Sequence, residues 1–166
     1  MIAEPLRQYL ESRRATFRVY SHEPRFTAQE IAHEAHISGK CFAKTVILRS
    51  HGRFLLAVLP ASEEIDLELL GRELGSPVEL ASEDAFSRLF PGCEVGAAPP
   101  MAALATEELP SFVDACLLRG DSVAFSGGTH TDVVEMSRSE FARLTAPRIL
   151  AYGRPPGLPV PTSRAG

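Results

Sequence analysis

The chain contains no tryptophan, only two lysines against fifteen arginines, and only three cysteines in 166 residues. Cys41, Cys93 and Cys116 are odd in number and lack C-x-x-C spacing, which argues against a disulfide framework or a zinc knuckle and fits a reducing compartment. No apolar run approaches the roughly 20 residues of a membrane span. The first residues, Met1 to Arg7, lack the basic and then apolar order of a signal peptide, so a cytoplasmic protein without a membrane partner is expected. No P-loop, dinucleotide fingerprint or G-x-S-x-G elbow is found. What is present, 45% apolar and 23% charged residues, describes one globular domain large enough to bury its own core.

The net charge of −4 hides an asymmetry. Residues 1–60 carry nine Lys and Arg against five acids, whereas residues 61–166 carry eight against sixteen. A partner meets a face rather than a total, so a basic front portion leaves RNA open as a partner.

Periodicity predicts a helix over Pro5–Arg14 and a strand over Phe17–Tyr20. The capping box Thr27-Ala28-Gln29-Glu30 opens a second helix that ends before Gly39. Cys41–Arg49 and Phe54–Leu59 are nearly continuous apolar strands joined by a four-residue turn, and a central hairpin buried on both faces follows. Ser62, followed by Glu63 and Glu64, is expected to cap a helix through Leu74, closed by Gly75. A strand over Pro77–Leu80, a helix over Ser82–Phe90 and a loop over Pro91–Met101 come next. Strands are expected over Ser111–Ala115, Ser122–Phe125 and Thr131–Met136, with a turn at Gly127-Gly128-Thr129-His130. Ser137-Arg138-Ser139-Glu140 opens the last helix. From Pro147 onward five prolines and no periodicity read as a tail, which puts the domain at residues 1–146 and a Pro-rich tail at 147–166. The class is α/β, a single domain with a mixed, largely antiparallel sheet flanked by helices.

Alternation places Lys44 on one strand face with Phe42, Val46 and Leu48, and Ala43, Thr45 and Ile47 on the other. An ammonium within a core segment either snorkels from the strand end or holds an anionic ligand, because a buried unpaired charge costs several kcal/mol. Gly96-Ala97-Ala98-Pro99-Pro100 can present rigid backbone groups to a small polar ligand, although the same pattern serves an ordinary turn. His130 follows two glycines, either as an exposed turn residue or as an acid, base or donor. His33 and His36 have no third ligand nearby, and no metal or cofactor is expected. Cys41, in its apolar strand setting, reads as an inert core thiol.

Taken in order, Ser21-His22-Glu23-Pro24 with Thr27-Ala28-Gln29-Glu30, Ala43-Lys44-Thr45-Val46-Ile47-Leu48, Ala57-Val58-Leu59-Pro60-Ala61, Gly96 to Pro100, and Gly127-Gly128-Thr129-His130 before Val133-Val134-Glu135-Met136 resemble the YbaK/ProX family of aminoacyl-tRNA deacylases. This family also supplies the editing domain associated with prolyl-tRNA synthetase. The resemblance spans residues 5–145 and implies a curved, mixed, partly barrel-like sheet with helices around it. It implies metal-independent hydrolysis of a mischarged tRNA in trans, translation fidelity as the purpose, and the tRNA acceptor end and an aminoacyl-tRNA synthetase, but not DNA, as partners. Lys44 and His130 are the residues it marks as catalytic, and Thr45, Gly96, Ala97, Ala98, Pro99, Pro100 and Gly128 those it marks as substrate-binding. Arg13, Arg14 and Arg18, in the basic front portion, are expected to touch tRNA. The chain departs from many relatives in carrying Met101-Ala102 where a glycine closes the loop, so a side chain is expected to narrow or reshape the pocket. Thr45 stands where some members have asparagine. The main alternative is a non-catalytic binding module of the same fold, and the third is a hydrolase using Cys41 with a histidine.

Overall fold

The structure, a computed structural model, describes residues 1–25 and 27–157. Ten strands and five α-helices follow one another as α1 (Glu4–Ser12), β1 (Arg18–Ser21), α2 (Ala28–Glu34), β2 (Phe42–Ser50), β3 (Arg53–Pro60), β4 (Glu64–Ile65), α3 (Leu67–Leu74), β5 (Glu79–Leu80), α4 (Glu83–Leu89), β6 (Ser111–Asp114), β7 (Ser122–Ser126), β8 (Asp132–Ser137), α5 (Arg138–Thr145), β9 (Arg148–Leu150) and β10 (Gly153–Arg154). The helix starts follow side-chain chemistry. Thr27 and Glu30 close a reciprocal capping box at α2, and Ser82 and Ser137 accept from the third backbone N–H of α4 and α5. At α5 the box is half made, because the Glu140 carboxylate turns to the Thr16 N–H and Arg143 instead.

One expected cap is corrected. Ser62 does not start α3; Asp66 does, accepting from the Leu69 N–H at 2.9 Å. Its carboxylate has the N-cap geometry that Ser62, four residues earlier, cannot reach, and so Glu63 and Glu64 are released to face a cavity.

The large sheet runs in the order β1-β8-β7-β2-β3-β6-β9, with β5 also paired to β2, and β10 pairs with β4 separately. It is mixed: β2 is antiparallel to β3 but parallel to β7, and β6 is parallel to both β3 and β9. The sheet does not close, since β1 and β9 are its ends. The central hairpin turns on two residues, His51 (φ 49°) and Gly52 (φ 73°), rather than the four expected. Both have positive φ, which matches the right-handed twist of the strands they join.

Helices cover both faces. One core packs Leu6 and Leu10 of α1, Leu89 of α4 and Phe141 of α5 against Ala43, Leu56 and Val58. A second sets Leu70 of α3 and Tyr152 against Leu48, Leu55, Leu59 and Phe112, and a third sets Ile31 and Ala32 of α2 against Phe42 and Ala124. Alternation along β2 and β3 follows the sequence pattern. The exception is Lys44-Thr45-Val46, which is only half-buried between buried neighbours.

Two buried carboxylates pin distant segments. Asp114, 1% exposed, accepts from the Tyr152 and Gly153 N–H groups through one oxygen and from the Cys116 N–H through the other. The boundary expected at Ala146 is therefore too early. β9 pairs with β6, Tyr152 is fully buried, and its hydroxyl lies 2.8 Å from the Val58 carbonyl and 2.7 Å from that of Phe112. The remainder of the expected tail, 158–166, lies outside the described residues. Asp132, also 1% exposed, accepts from the hydroxyls of Ser21, Thr129 and Thr131 and from the Met1 ammonium. Burial alone would raise its carboxyl, but those four donors outweigh it and hold the group at about 2, below the usual 3.8.

Tyr152→Ala is expected to cost about 3–5 kcal/mol in urea unfolding, as for a large core aromatic, whereas a tail residue would move stability by about 0.5 kcal/mol or less. Asp132→Asn is expected to cost about 1.5–3 kcal/mol at neutral pH by weakening charge-assisted hydrogen bonds. Because the folded-state value lies below the unfolded one, this stabilisation is present above the usual 3.8 and is lost as pH falls toward about 2. The melting temperature of the wild type should therefore fall more steeply across that window than that of the variant.

Candidate functional site

The site begins with a break in hydrogen bonding along one edge of β2. On its other edge β2 pairs with β3 without interruption from Ala43↔Pro60 to Ser50↔Arg53. On the broken edge β7 pairs only at Phe42↔Ala124 and Ala43↔Phe125, and β5 only at Leu48↔Leu80 and Arg49↔Glu79. Residues 44–47 lie between these two contacts. The Ala124 N–H donates to the Cys41 carbonyl and the Ala81 N–H to the Ile47 carbonyl, so the odd-numbered residues of β2 direct their backbone groups to this edge. Strand alternation then aims the Thr45 N–H and C=O into the break. The Thr45 hydroxyl oxygen is buried and has no hydrogen-bond partner among the described residues.

Lys44 projects from the opposite face, over α2, into a cavity of about 230 Å³ lined by Thr27, Ala28, Glu63, Glu64 and Pro156 among others. Burial pushes the Lys44 ammonium below its ordinary value, and Glu64 and Glu63 pull the other way. Among the described residues it forms no ion pair. A half-buried cation facing a polar cavity without a salt bridge is suited to an anionic or strongly polar ligand.

His130 and the glycine–proline loop form a second block. The His130 N–H donates to the Glu94 carboxylate at 2.6 Å, and its Nε2–H donates to the Val95 carbonyl at 2.8 Å. The Glu94 N–H donates in turn to the Gly128 carbonyl at 2.9 Å. Gly128 (φ 84°) has to be glycine on two counts, because a Cβ there would overlap the Ala3 side chain. Gly96 (φ 83°) lies against the His130 ring. Ala97, Ala98, Pro99 and Pro100 are buried, and Ala98 and Met101 belong to the main core. Met101, 1% exposed, thus spends its side chain on packing.

The structure brings His130, Gly96 and Gly128 together, and Lys44 with Glu63 and Glu64, but not all of them into one cavity. The two groups are joined through the chain before α2: the Arg25 N–H donates to the His130 carbonyl at 3.1 Å, two residues before Thr27 in the wall of the Lys44 cavity. Arg13, Arg14 and Arg18 stand elsewhere. Arg13 stacks on the Tyr9 ring and Arg14 follows α1. Arg18 pairs in register through Glu135 and Ala124 to Phe42, three strand spacings or about 14 Å from β2.

Sequence reasoning missed Glu63, Glu64 and Asp132 as residues that shape the site, and it misplaced Cys41. That thiol is half-buried and opens into a second cavity of about 590 Å³ that also holds Cys116 but is lined by no histidine. Cys93 is the thiol that burial affects most, pushed up to about 11. Donor atoms of Glu63, Asp114 and Cys116 lie within 4.8 Å of one another, a spacing that could hold a metal ion and that residues 51 positions apart in sequence cannot reveal. Burial first and Asp114 second raise the Glu63 carboxyl, and the neighbouring Cys116 thiol pulls the other way.

No curated protein matches the sequence at a significant level. Among solved structures, a hypothetical protein is superposable with a TM-score of 0.81 at 24% identity, over 91% of this chain and 100% of its own. A protein named as a candidate trans-editing enzyme for prolyl tRNA synthetase gives 0.80 at 21% identity, over 93% of this chain and 99% of its own. A candidate signal transduction protein from Marinobacter aquaeolei VT8 gives 0.73 at 19% identity, with 92% of this chain covering 31% of it. These likenesses establish the fold. Residues 22–144, which carry the broken strand edge, the Lys44 cavity and the His130 turn, match the aminoacyl-tRNA editing domain, and the chain belongs to that family.

Proposed function

We propose that the protein is an aminoacyl-tRNA deacylase, acting in trans from the cytoplasm on mischarged tRNA, with a synthetase as its partner in fidelity. The observation that carries this reading is Lys44: a desolvated cation without an ion pair among the described residues, set where β2 leaves its edge unpaired. An aminoacyl ester is already activated, so holding a water and stabilising the tetrahedral oxyanion suffices without a nucleophilic side chain.

In the proposed reaction water attacks the ester carbonyl carbon, and the bond from that carbon to the ribose oxygen breaks. The ribose oxygen takes a proton, and the amino acid leaves as its carboxylate with release of the second water proton. Lys44 holds the phosphate or ribose of the terminal adenosine. The Thr45 N–H, aimed into the break, is the backbone donor available to the oxyanion. Gly96 to Pro100 and Gly128 form the aminoacyl side, and His130 positions that side through its bond to the Val95 carbonyl. Editing at a second site is needed because a synthetase pocket rejects a smaller amino acid by only about 1–3 kcal/mol per methylene.

Lys44→Ala is expected to lower kcat/KM for a mischarged tRNA by at least about 100-fold with an unchanged melting temperature. Full activity in that variant removes Lys44 from the site. A panel of tRNAs, each charged with cognate and near-cognate small amino acids, tests the activity itself, and absence of hydrolysis throughout favours a binding module. His130→Ala is expected to cost about tenfold, near 1.4 kcal/mol and comparable to one hydrogen bond. An unchanged rate would make His130 a turn residue only.

A further inference from the structure

The second cavity has the chemistry of a subsite for the strand that would carry the ester, and this inference rests on the proposed function. It measures about 590 Å³ and shares Glu63 and Pro156 as walls with the Lys44 cavity, so the two are neighbours along one surface. Its rim carries Lys40 and Arg119, both exposed. They come from separate elements: Lys40 from the turn before β2, Arg119 from the 3-10 turn after β6. The two segments are packed together, because a Cβ at Gly120 would stand 3.0 Å from the Cys41 sulfur. The turn that carries Lys40 is itself pinned, with the Cys41 N–H donating to the Ser38 carbonyl and the Ser62 N–H to that of Gly39. Two cations from separate segments thus line one cavity, and neither forms an ion pair among the described residues.

Lys40 is one of only two lysines in the chain, and the other is Lys44. They lie four positions apart, a span of at most about 14 Å, so one short strand reaches both. We infer that this cavity binds the phosphodiester backbone of the unpaired 3′ end of an RNA, with Lys40 and Arg119 holding phosphates of the nucleotides that precede the one at Lys44. Arginine offers a planar fork to phosphate oxygens and lysine a point charge, which suits a flexible single strand without base-specific contact. Glu63 lies on the shared wall, where a carboxyl repels phosphate but accepts a ribose hydroxyl. That arrangement keeps phosphates at the cationic rim and turns the 2′-hydroxyls, which only RNA has, toward the wall.

The test compares two substrates in the full chain carrying Lys40→Glu with Arg119→Glu: a mischarged tRNA and an aminoacyl-adenosine ester that lacks the preceding nucleotides. KM for the tRNA is expected to rise at least tenfold and the salt dependence of tRNA affinity to lose about one to two phosphate contacts in slope, while hydrolysis of the ester and the melting temperature stay as in the wild type. Equal loss on both substrates, or no change on the tRNA, overturns the subsite. If the wild type hydrolyses neither substrate, the deacylase reading fails by itself. Binding of an uncharged oligoribonucleotide with the tRNA 3′-terminal sequence then decides the subsite, which weaker binding by the double variant supports and equal binding overturns.

Discussion

Strand β2 is held to β3 along its whole length and to its other neighbours only at its ends. This unequal pairing is the constraint on which the site depends. Full pairing on one edge fixes the direction of every β2 side chain, so Lys44 has to leave the sheet on the α2 face and Thr45 on the opposite one. Partial pairing on the other edge opens the space those groups border. A sheet with β7 paired all along β2 would satisfy more backbone groups and leave no room for a ligand. The fold can sustain the gap because α2, α3 and the main core cover the strand on both faces around it.

The elements readable from sequence are those whose signals are local. Caps at Thr27, Ser82 and Ser137, the glycine stop at Gly75 and the alternation of β2 and β3 each involve residues within a few positions. The polar outlier at Lys44 was legible for the same reason. Residues 148–154 were not, because their order comes from partners far away. A three-residue strand has too few positions to show a period, and Tyr152 is buried by hydrogen bonds to Val58 and Phe112 and by Asp114, 38 residues earlier. Glu63 and Glu64 were misread since acids after a serine fit a helix start equally well; only the competition with Asp66 decides between them.

Charge was legible as composition but not as geometry. Within the basic excess of residues 1–60, Arg7 is spent between Glu4 and Glu11, Arg25 pairs with Glu34 and Arg13 stacks on Tyr9. The cations that border the cavities are Lys40, Lys44 and Arg119, taken from both the basic and the acidic portions of the chain. Exposed ion pairs such as Arg7 with Glu4 contribute little stability, but they remove the arginine from the supply of free positive charge. Among the described residues only the side chains of Arg7, Arg25 and Arg143 are spent in this way, so which cations a phosphate-bearing partner would meet at the cavities is set by the fold and not by ion pairing.

The break in β2 has an energetic consequence that links fold to catalysis. Sheet pairing would satisfy the Thr45 N–H and C=O, and the Thr45 hydroxyl is already buried without a partner among the described residues. Each buried polar group left unmade costs about 1–3 kcal/mol, and the desolvation of Lys44 adds to that sum. A ligand that supplies a carbonyl oxygen to the amide and an anion to the ammonium offsets these costs on binding. The donor is strongest toward the group with the most negative charge, which in ester hydrolysis is the oxyanion rather than the ground-state carbonyl. In the proposed hydrolysis, the same unpaired edge that weakens the sheet would thus favour the transition state over the substrate, with backbone groups that no side-chain motif announces.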